Sequence, residues 1–324
     1  MYDIGIDVGG TNIAAGIVDE NMRIVAGGSV KTDCSADTGQ LAEQAAALAE
    51  ALLTESGICA DEVQSVGVGV PGTANLDTGR MEYANNLPGC SGDLCGALKE
   101  RLGMKICFDN DANAAAWGEF LACRSVSERP PESFLMVTLG TGVGGGIILD
   151  GKIWRGVNFA AGELGHMTIC RDGIACSCGR RGCLEAYASA GALIGQARSR
   201  MEQARESALW KLCGGDAFRL DGRMVCEAAR AGDKTAQTVM KEYIGYLGEG
   251  LVNIMNILQP EVICIGGGVG NSPDVLLPPL RNYVKDRVYS RDSEKNTLLK
   301  PAVLGNDAGI IGAALLRMSE TGIH

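Results

Sequence analysis

Tyr2–Asp19 reads YDIGIDVGGTNIAAGIVD, two β-rich runs separated only by the turn Gly9-Gly10-Thr11-Asn12. Phe134–Asp150, FLMVTLGTGVGGGIILD, repeats the theme: a strand over Phe134–Leu139, a glycine-rich turn, and a strand over Gly145–Leu149. Short apolar runs that enter and leave a glycine turn predict paired strands. Two such units, about 130 residues apart, predict an internally duplicated α/β fold with two lobes and a cleft between them.

Working outward, Arg23–Lys31 (RIVAGGSVK) adds a third β-rich run, so an antiparallel meander is expected. Gln40–Glu55 is rich in alanine and leucine without glycine or proline and predicts a helix. Val63–Val70 reads as a buried strand ending at Pro71-Gly72, Asp93–Leu102 as a short helix and Lys105–Phe108 as a strand. Asp111 then opens a helix through Cys123, where an acidic residue suits the positive end of the helix dipole. The polar connector Arg124–Glu132 leads to the second lobe. There a helix over Glu185–Met201, a polar stretch over Glu202–Gly222, a long helix over Lys234–Leu258 and a strand over Val262–Ile265 are expected. A closing helix over Ala308–Met318 would return to the first lobe. The expected lobes are residues 1–123 with 308–324, and residues 124–307.

The two turns share a chemistry. Glycines in Asp7-Val8-Gly9-Gly10-Thr11-Asn12 let backbone amides face an anion, Thr11 and Asn12 add donors, and Asp7 can hold a cation through water. Thr138-Leu139-Gly140-Thr141-Gly142 offers the same kit. Neither is a P-loop, because no Gly-Lys-Ser/Thr follows. Either alone is also compatible with a plain hairpin turn; together, one per lobe, they suit a triphosphate. Asp111 is read as a general base that takes a proton from an attacking hydroxyl. The plain alternative makes it a helix N-cap.

Gly162–Glu185 reads GELGHMTICRDGIACSCGRRGCLE and holds His166, the only histidine besides His324. His166, Cys176, Cys178 and Cys183 form a Cys3His set at turn-compatible spacings, the donor set of a closed structural zinc site. Glu163 and Glu185 bracket it and are not needed to complete four-coordination, so the metal reads as a clamp that presents other groups to a ligand. Cys170 is taken as a non-ligand.

A net charge of −10 argues against a nucleic-acid footprint, which needs a basic face. The longest uncharged apolar run, Phe134–Leu149, is too short to span a bilayer and carries five glycines. No signal peptide leads the chain, so the thirteen cysteines read as three metal ligands and ten thiols, mostly small core hydrophobes, in a reducing cytoplasm. A thiol-redox or zinc-storage protein would leave the glycine turns unexplained, and no Cys-x-x-Cys is present.

Together these segments resemble the ROK family of sugar kinases and sugar-responsive repressors, within the actin-like ATPase superfamily, from DIGIDVGGTN to the closing helix. The resemblance implies a duplicated RNase H-like fold, ATP with Mg2+ in the cleft, and a hexose beside a structural Zn2+ loop. Asp7, Gly9, Gly10, Thr11 and Asn12 match its first phosphate loop; Thr138, Gly140, Thr141 and Gly142 match its second. Gly266, Gly267 and Gly268 match its adenosine loop. Asn110 matches the sugar-binding asparagine and Asp111 the catalytic aspartate. Gly72 and Asn86 match loops lining the sugar site. Glu163, His166 and Glu185 match groups on the sugar hydroxyls, and His166, Cys176, Cys178 and Cys183 the zinc ligands. Cys90 departs from the pattern, standing where many relatives carry tryptophan. The implied activity is ATP-dependent phosphorylation of a hexose at its 6-hydroxyl, glucose first. N-acetylmannosamine, N-acetylglucosamine, mannose, fructose and allose are the alternatives. A regulator is the distant alternative, since no DNA-binding segment fits before Asp7. A cytoplasmic homodimer or homotetramer acting on sugar and nucleotide, without nucleic-acid or membrane partners, completes the expectation.

Overall fold

The computed structural model describes residues 1–84 and 87–321. The chain opens as an antiparallel meander of β1 (Tyr2–Val8), β2 (Asn12–Val18) and β3 (Ile24–Lys31). Then come α1 (Thr38–Ser56), β4 (Val63–Val70), the hairpin of β5 (Thr73–Asn75) and β6 (Arg80–Tyr83), α2 (Leu94–Leu102), β7 (Ile106–Asn110) and α3 (Asp111–Ser125). β8 (Phe134–Leu139), β9 (Val143–Leu149) and β10 (Lys152–Ile153) follow, and after a long loop α4 (Glu185–Ala188), α5 (Ala190–Met201), α6 (Ala208–Leu212), α7 (Gly222–Arg230) and α8 (Lys234–Leu258). The chain ends with β11 (Val262–Gly266), α9 (Gly267–Gly270), α10 (Pro273–Lys285), β12 (Leu298–Pro301), α11 (Ala308–Ala314) and α12 (Arg317–Thr321).

The sheets run β3-β2-β1-β4-β7 and β10-β9-β8-β11-β12. Each sheet puts the strand that enters a glycine turn in the middle and adds a parallel pair on one side, β4 with β7 and β11 with β12. The duplication read from the sequence is therefore a repeat of strand order. Two compact units result: Met1–Met136 with Gly146–Gly162 and Asn306–His324, and Val137–Gly145 with Glu163–Gly305.

In the first unit β1 alternates as the strand period demands. Ile4, Ile6 and Val8 are fully buried and pack in one core with Leu41, Ala45, Ala49 and Leu52 of α1. A capping box between Asp37 and Gln40 starts α1, and Gly57, at φ +69°, ends it. The opposite face of β1, carrying Asp3, Gly5 and Asp7, meets the last helices. A Cβ on Gly5 would fall 1.8 Å from the Ile310 carbonyl oxygen, and one on Gly67 of β4 1.7 Å from that of Ala313. Glycine thus lets α11 lie on the sheet backbone. Arg317 grips Asp3 with both oxygens engaged, at 2.8 and 3.1 Å.

The second unit wraps α8, whose Tyr243 is fully buried and donates its hydroxyl hydrogen to the Ala188 carbonyl at 2.7 Å. Two local readings change here, and one helix is added to them. The helix expected over Glu185–Met201 breaks at Ser189, which adopts an extended conformation and accepts from Ala192 N–H to cap α5. The polar stretch 202–222 contains α6. α10 is present despite Pro278 and Pro279, because Pro273 opens it and Leu276, Leu277, Leu280 and Val284 supply a buried stripe. In the first unit the closing helix returns as expected but breaks after Ala314, where the Leu315 carbonyl accepts from Trp117 Nε1 at 2.9 Å. The strand before α3 also runs two residues further than expected, to Asn110.

All thirteen cysteines are free of disulfides. Of the ten outside the Cys3His set, Cys90, Cys107, Cys213, Cys226 and Cys264 are buried, while Cys34, Cys59 and Cys170 are exposed, so core cysteines are fewer than the composition implied. Among the described residues no helix is long and apolar enough to cross a membrane.

Candidate active site

In the first unit, β7 ends and α3 begins at Asn110-Asp111. The cap is Asn110: its side-chain oxygen accepts from Ala112 N–H at 2.9 Å and from Asn113 N–H at 3.1 Å. Asp111 is the first helical residue, so the reading that made it the N-cap falls away. Asn110 Nδ2 donates to the Gly72 carbonyl at 2.9 Å, which brings two of the expected sugar-site residues together. Gly72 sits at φ +78°, and a Cβ there would fall 1.8 Å from the Tyr83 carbonyl oxygen, so only glycine fits. Cys90, at the position that departs from the family, is buried and donates its thiol hydrogen to the Ala36 carbonyl. Asn86 lies outside the described residues, as does His324.

The first glycine turn closes through Gly9 N–H to the Asn12 carbonyl at 2.9 Å, with Thr32 Oγ1 donating to the Gly9 carbonyl at 2.7 Å. Gly10 lies inside this turn, and Thr11 and Asn12 are exposed on it. The Asp7 carboxylate is mostly buried, and among the described residues no hydrogen bond or ion pair reaches it. Desolvation holds its pKa above the usual carboxylate range. A buried acid without a counter-charge suits a hydrated cation. Gly309, at the start of α11, makes the room, since a Cβ there would fall 2.5 Å from Asp7 Oδ2.

Asp109 precedes Asn110 at the end of β7. It is 1% exposed, and its Oδ1 accepts from Asn110 N–H at 2.8 Å and from Asn113 Nδ2 at 2.9 Å. Its Oδ2 accepts from Arg155 Nε at 2.7 Å. Burial pushes its pKa up, against the pull of Arg155 and the amide donors. Nothing in the sequence pointed to Arg155, which is 46 residues away.

In the second unit the ligand atoms of His166, Cys176, Cys178 and Cys183 all lie within 4.8 Å of one another, and Cys170 is not in the group. Tetrahedral zinc, with Zn–S of about 2.3 Å and Zn–N of about 2.0–2.1 Å, sets S···S edges at about 3.8 Å and S···N edges at about 3.6 Å. Cys178 Sγ to Cys183 Sγ is 3.7 Å, and Cys176 Sγ to His166 Nδ1 is 3.6 Å. The donors fit a zinc ion. Burial pushes the Cys183 thiol up to about 12, so its thiolate form calls for a cation. Arg180 braces the loop, donating to the His166 carbonyl at 3.1 Å and to Thr168 Oγ1 at 2.8 Å. The Tyr187 hydroxyl accepts from Ile174 N–H at 2.8 Å.

With Nδ1 turned to the thiols, His166 Nε2 faces Glu163 Oε2 at 3.9 Å. Glu185, the first residue of α4, accepts from Ser177 Oγ at 3.3 Å through Oε1 and from Val143 N–H at 3.0 Å through Oε2. The second glycine turn is therefore tied to the metal loop. Gly140 N–H donates to the Gly142 carbonyl at 3.0 Å, Thr138 is half-buried at its base and Thr141 is exposed at its tip. A Cβ on Gly142 would fall 2.3 Å from Glu185 Oε2. The Gly266-Gly267-Gly268 segment lands beside the same turn: Gly267, at φ +81°, sits where a Cβ would fall 2.6 Å from Leu139 N and O. Gly268 has open space next to it.

The ROK family profile matches residues 3–320. The glucokinase of Streptomyces coelicolor is 34% identical over 313 residues, covering 96% of each chain. The chain belongs to the ROK family. The glucokinase of Halalkalibacterium halodurans is 35% identical over 314 residues, covering 97% of this chain and 94% of its own. Among solved structures, the ROK family glucokinase of Streptomyces griseus in complex with glucose and AMPPNP is 34% identical, with a TM-score of 0.83, covering 98% of this chain and 99% of that one. This ROK protein has the actin-like ATPase fold in two lobes that the repeated strand order anticipates.

Proposed function

We propose that this ROK protein transfers the γ-phosphoryl group of ATP to the 6-hydroxyl of glucose, acting in the cytoplasm as a dimer or tetramer. The observation that carries the reading is the Glu185 carboxylate. One oxygen engages the Cys3His loop and the other the residue that follows the second glycine turn. An acid suited to sugar hydroxyls is thereby wired to a turn suited to phosphate. The glucokinases of similar sequence support the choice of sugar and of donor.

In this reading Asp111 takes the proton of the 6-hydroxyl as its oxygen bonds to the γ-phosphorus and the bond to the β-phosphate oxygen breaks, releasing ADP. Such general-base assistance is worth about 10²–10⁴-fold in rate. Asn110 and the Gly72 carbonyl hold one side of the sugar, and the family motif assigns Asn86 to the same ligand. Glu163, His166 Nε2 and Glu185 take further hydroxyls. A wrong sugar leaves some of these groups unpaired, which penalises it. Gly9 and Gly140 close the two turns, so that the groups of Gly10, Thr11 and Asn12, and of Thr138, Thr141 and Gly142, would face the phosphates; in Gly266-Gly267-Gly268, Gly268 leaves space for adenosine. Asp7 would hold hydrated Mg2+, whose charge would offset that of the transferring group. His166 Nδ1, Cys176, Cys178 and Cys183 would hold a structural Zn2+, which would keep the loop closed.

A coupled assay with ATP, Mg2+ and a panel of glucose, mannose, N-acetylmannosamine, N-acetylglucosamine, fructose and allose tests this. Glucose is expected to give the highest kcat/KM. No ADP release with any sugar would remove the kinase reading, and a preference for another hexose would remove glucose alone.

A further inference from the structure

We infer that Arg155 is a positioning residue of the Asn110-Asp111 turn, acting through Asp109. This deepens the kinase reading and rests on it.

Asp109 is the last buried residue of β7 before the turn, and each contact of its carboxylate bears on the turn. Oδ1 holds the backbone N–H of Asn110 and the side-chain amide of Asn113, the first within the cap and the second one residue beyond Ala112 in the first turn of α3. Oδ2 is held by Arg155 alone among the described residues. Arg155 is itself anchored at its other end, where Nη2 donates to Ser319 Oγ at 3.3 Å and Ser319 Oγ donates to the Leu316 carbonyl at 2.7 Å. The guanidinium therefore links α12 to the start of α3. On the far side, β4 fits tightly under the turn: a Cβ on Gly69 would fall 3.4 Å from Asp111 Cα and 3.3 Å from Ala114 Cβ.

A carboxylate this deeply buried persists as an anion only with a charged partner. Without Arg155, Asp109 must either take up a proton or turn toward water. Either change alters what Oδ1 offers to Asn110 N–H, and Asp111 follows on the next Cα. A misplacement of the base on the scale of 1 Å is enough to lose about 10²-fold in rate. Arg155 touches neither sugar nor nucleotide in this scheme. Its role is to keep the geometry of the residues that do.

The test uses Arg155→Met, Arg155→Lys and the double variant Arg155→Met with Asp109→Asn, in the full chain. Arg155→Met is expected to lower kcat for glucose more than tenfold while the KM for ATP stays within twofold. Arg155→Lys should recover part of the loss. The double variant should recover more, because the amide introduced by Asp109→Asn presents an uncharged acceptor to Asn110 N–H and leaves no unpaired charge. An unchanged kcat in Arg155→Met, or a double variant no better than the single, overturns the inference. An inactive wild-type chain instead overturns the kinase reading. In that case a crystal structure of Arg155→Met decides the positioning role by itself. A displaced Asn110-Asp111 turn supports it, and a turn identical to wild type overturns it.

Discussion

Val143 N–H donates to Glu185 Oε2 at 3.0 Å, joining the first residue after the second glycine turn to the first residue of the helix that leaves the Cys3His loop. A residue expected only to meet sugar hydroxyls thus also fixes the edge of the second glycine turn. Glu185→Ala should raise the KM for glucose and the KM for ATP together, each by at least about tenfold, equivalent to about 1.4 kcal/mol. Glu185→Gln retains an acceptor for Val143 and should spare the ATP term. Steady-state kinetics in both substrates distinguish the two, and an ATP KM unmoved by Glu185→Ala would break the proposed link.

Asn110 and Asp111 are adjacent but have separable tasks. Asn110 caps α3 and reaches Gly72, so Asn110→Ala should lower stability by about 1 kcal/mol or more through the lost cap. Asp111→Asn leaves that cap intact and should melt within a degree or two of wild type. Its kcat should fall by about 10²–10⁴-fold with glucose binding retained. Calorimetry, thermal melts and turnover measured on the same preparations check the separation.

The Cys3His edges predict a metal content of about one zinc per chain by elemental analysis. Structural zinc carries apparent binding energy of about 10–16 kcal/mol at neutral pH, so chelation or Cys178→Ser should disorder the loop. Glu163 and His166 would lose their alignment, and activity would go with it. A fully active metal-free protein would contradict the clamp.

Asp233 offers a pH test outside the site. Burial acts to raise its pKa. Against this, the N–H groups of Ala236 and Ala208 and the Ser207 hydroxyl stabilise the charged form, and the carboxyl settles below its usual value. A depressed folded pKa contributes stability that is complete above the unfolded value of about 3.9 and disappears as pH falls through the lower folded value. Melting temperature should therefore drop on acidification from about pH 5 to pH 3, and less steeply in Asp233→Asn. Parallel slopes for the two proteins would exclude Asp233 as a contributor.

The repeated fold was legible because glycine turns between β-branched runs leave a local mark, and both copies carry it. The 25-residue helix α8 was equally plain, since no proline interrupts Lys234–Leu258 and its apolar residues outweigh Gly245, Gly248 and Gly250. The metal set could be named because its four ligands fall within eighteen residues of one another. Other features depended on tertiary contact. α10 was hidden by Pro278 and Pro279, whose cost is outweighed by a buried leucine stripe. Ser189 interrupts a helix that composition alone would continue, because its hydroxyl starts the next one. Arg155 and Asp109 meet only after the chain has folded back, and Gly309 is one small residue among many until α11 is laid beside Asp7.

The contact of α11 with Gly5 and Gly67 has a consequence for synthesis. β1, β4 and β7 are complete once residue 110 has been made, yet the helix that covers Asp3, Gly5 and Asp7 begins only at Ala308. At about 5–20 residues per second the ribosome needs roughly 10–40 s to travel that distance. For that interval the part of the first sheet around Gly5 and Gly67 lacks the helix that lies on it, α3 reaching only the Gly69 end of β4. The second unit itself runs to Gly305, so both units are completed only as the last residues are made.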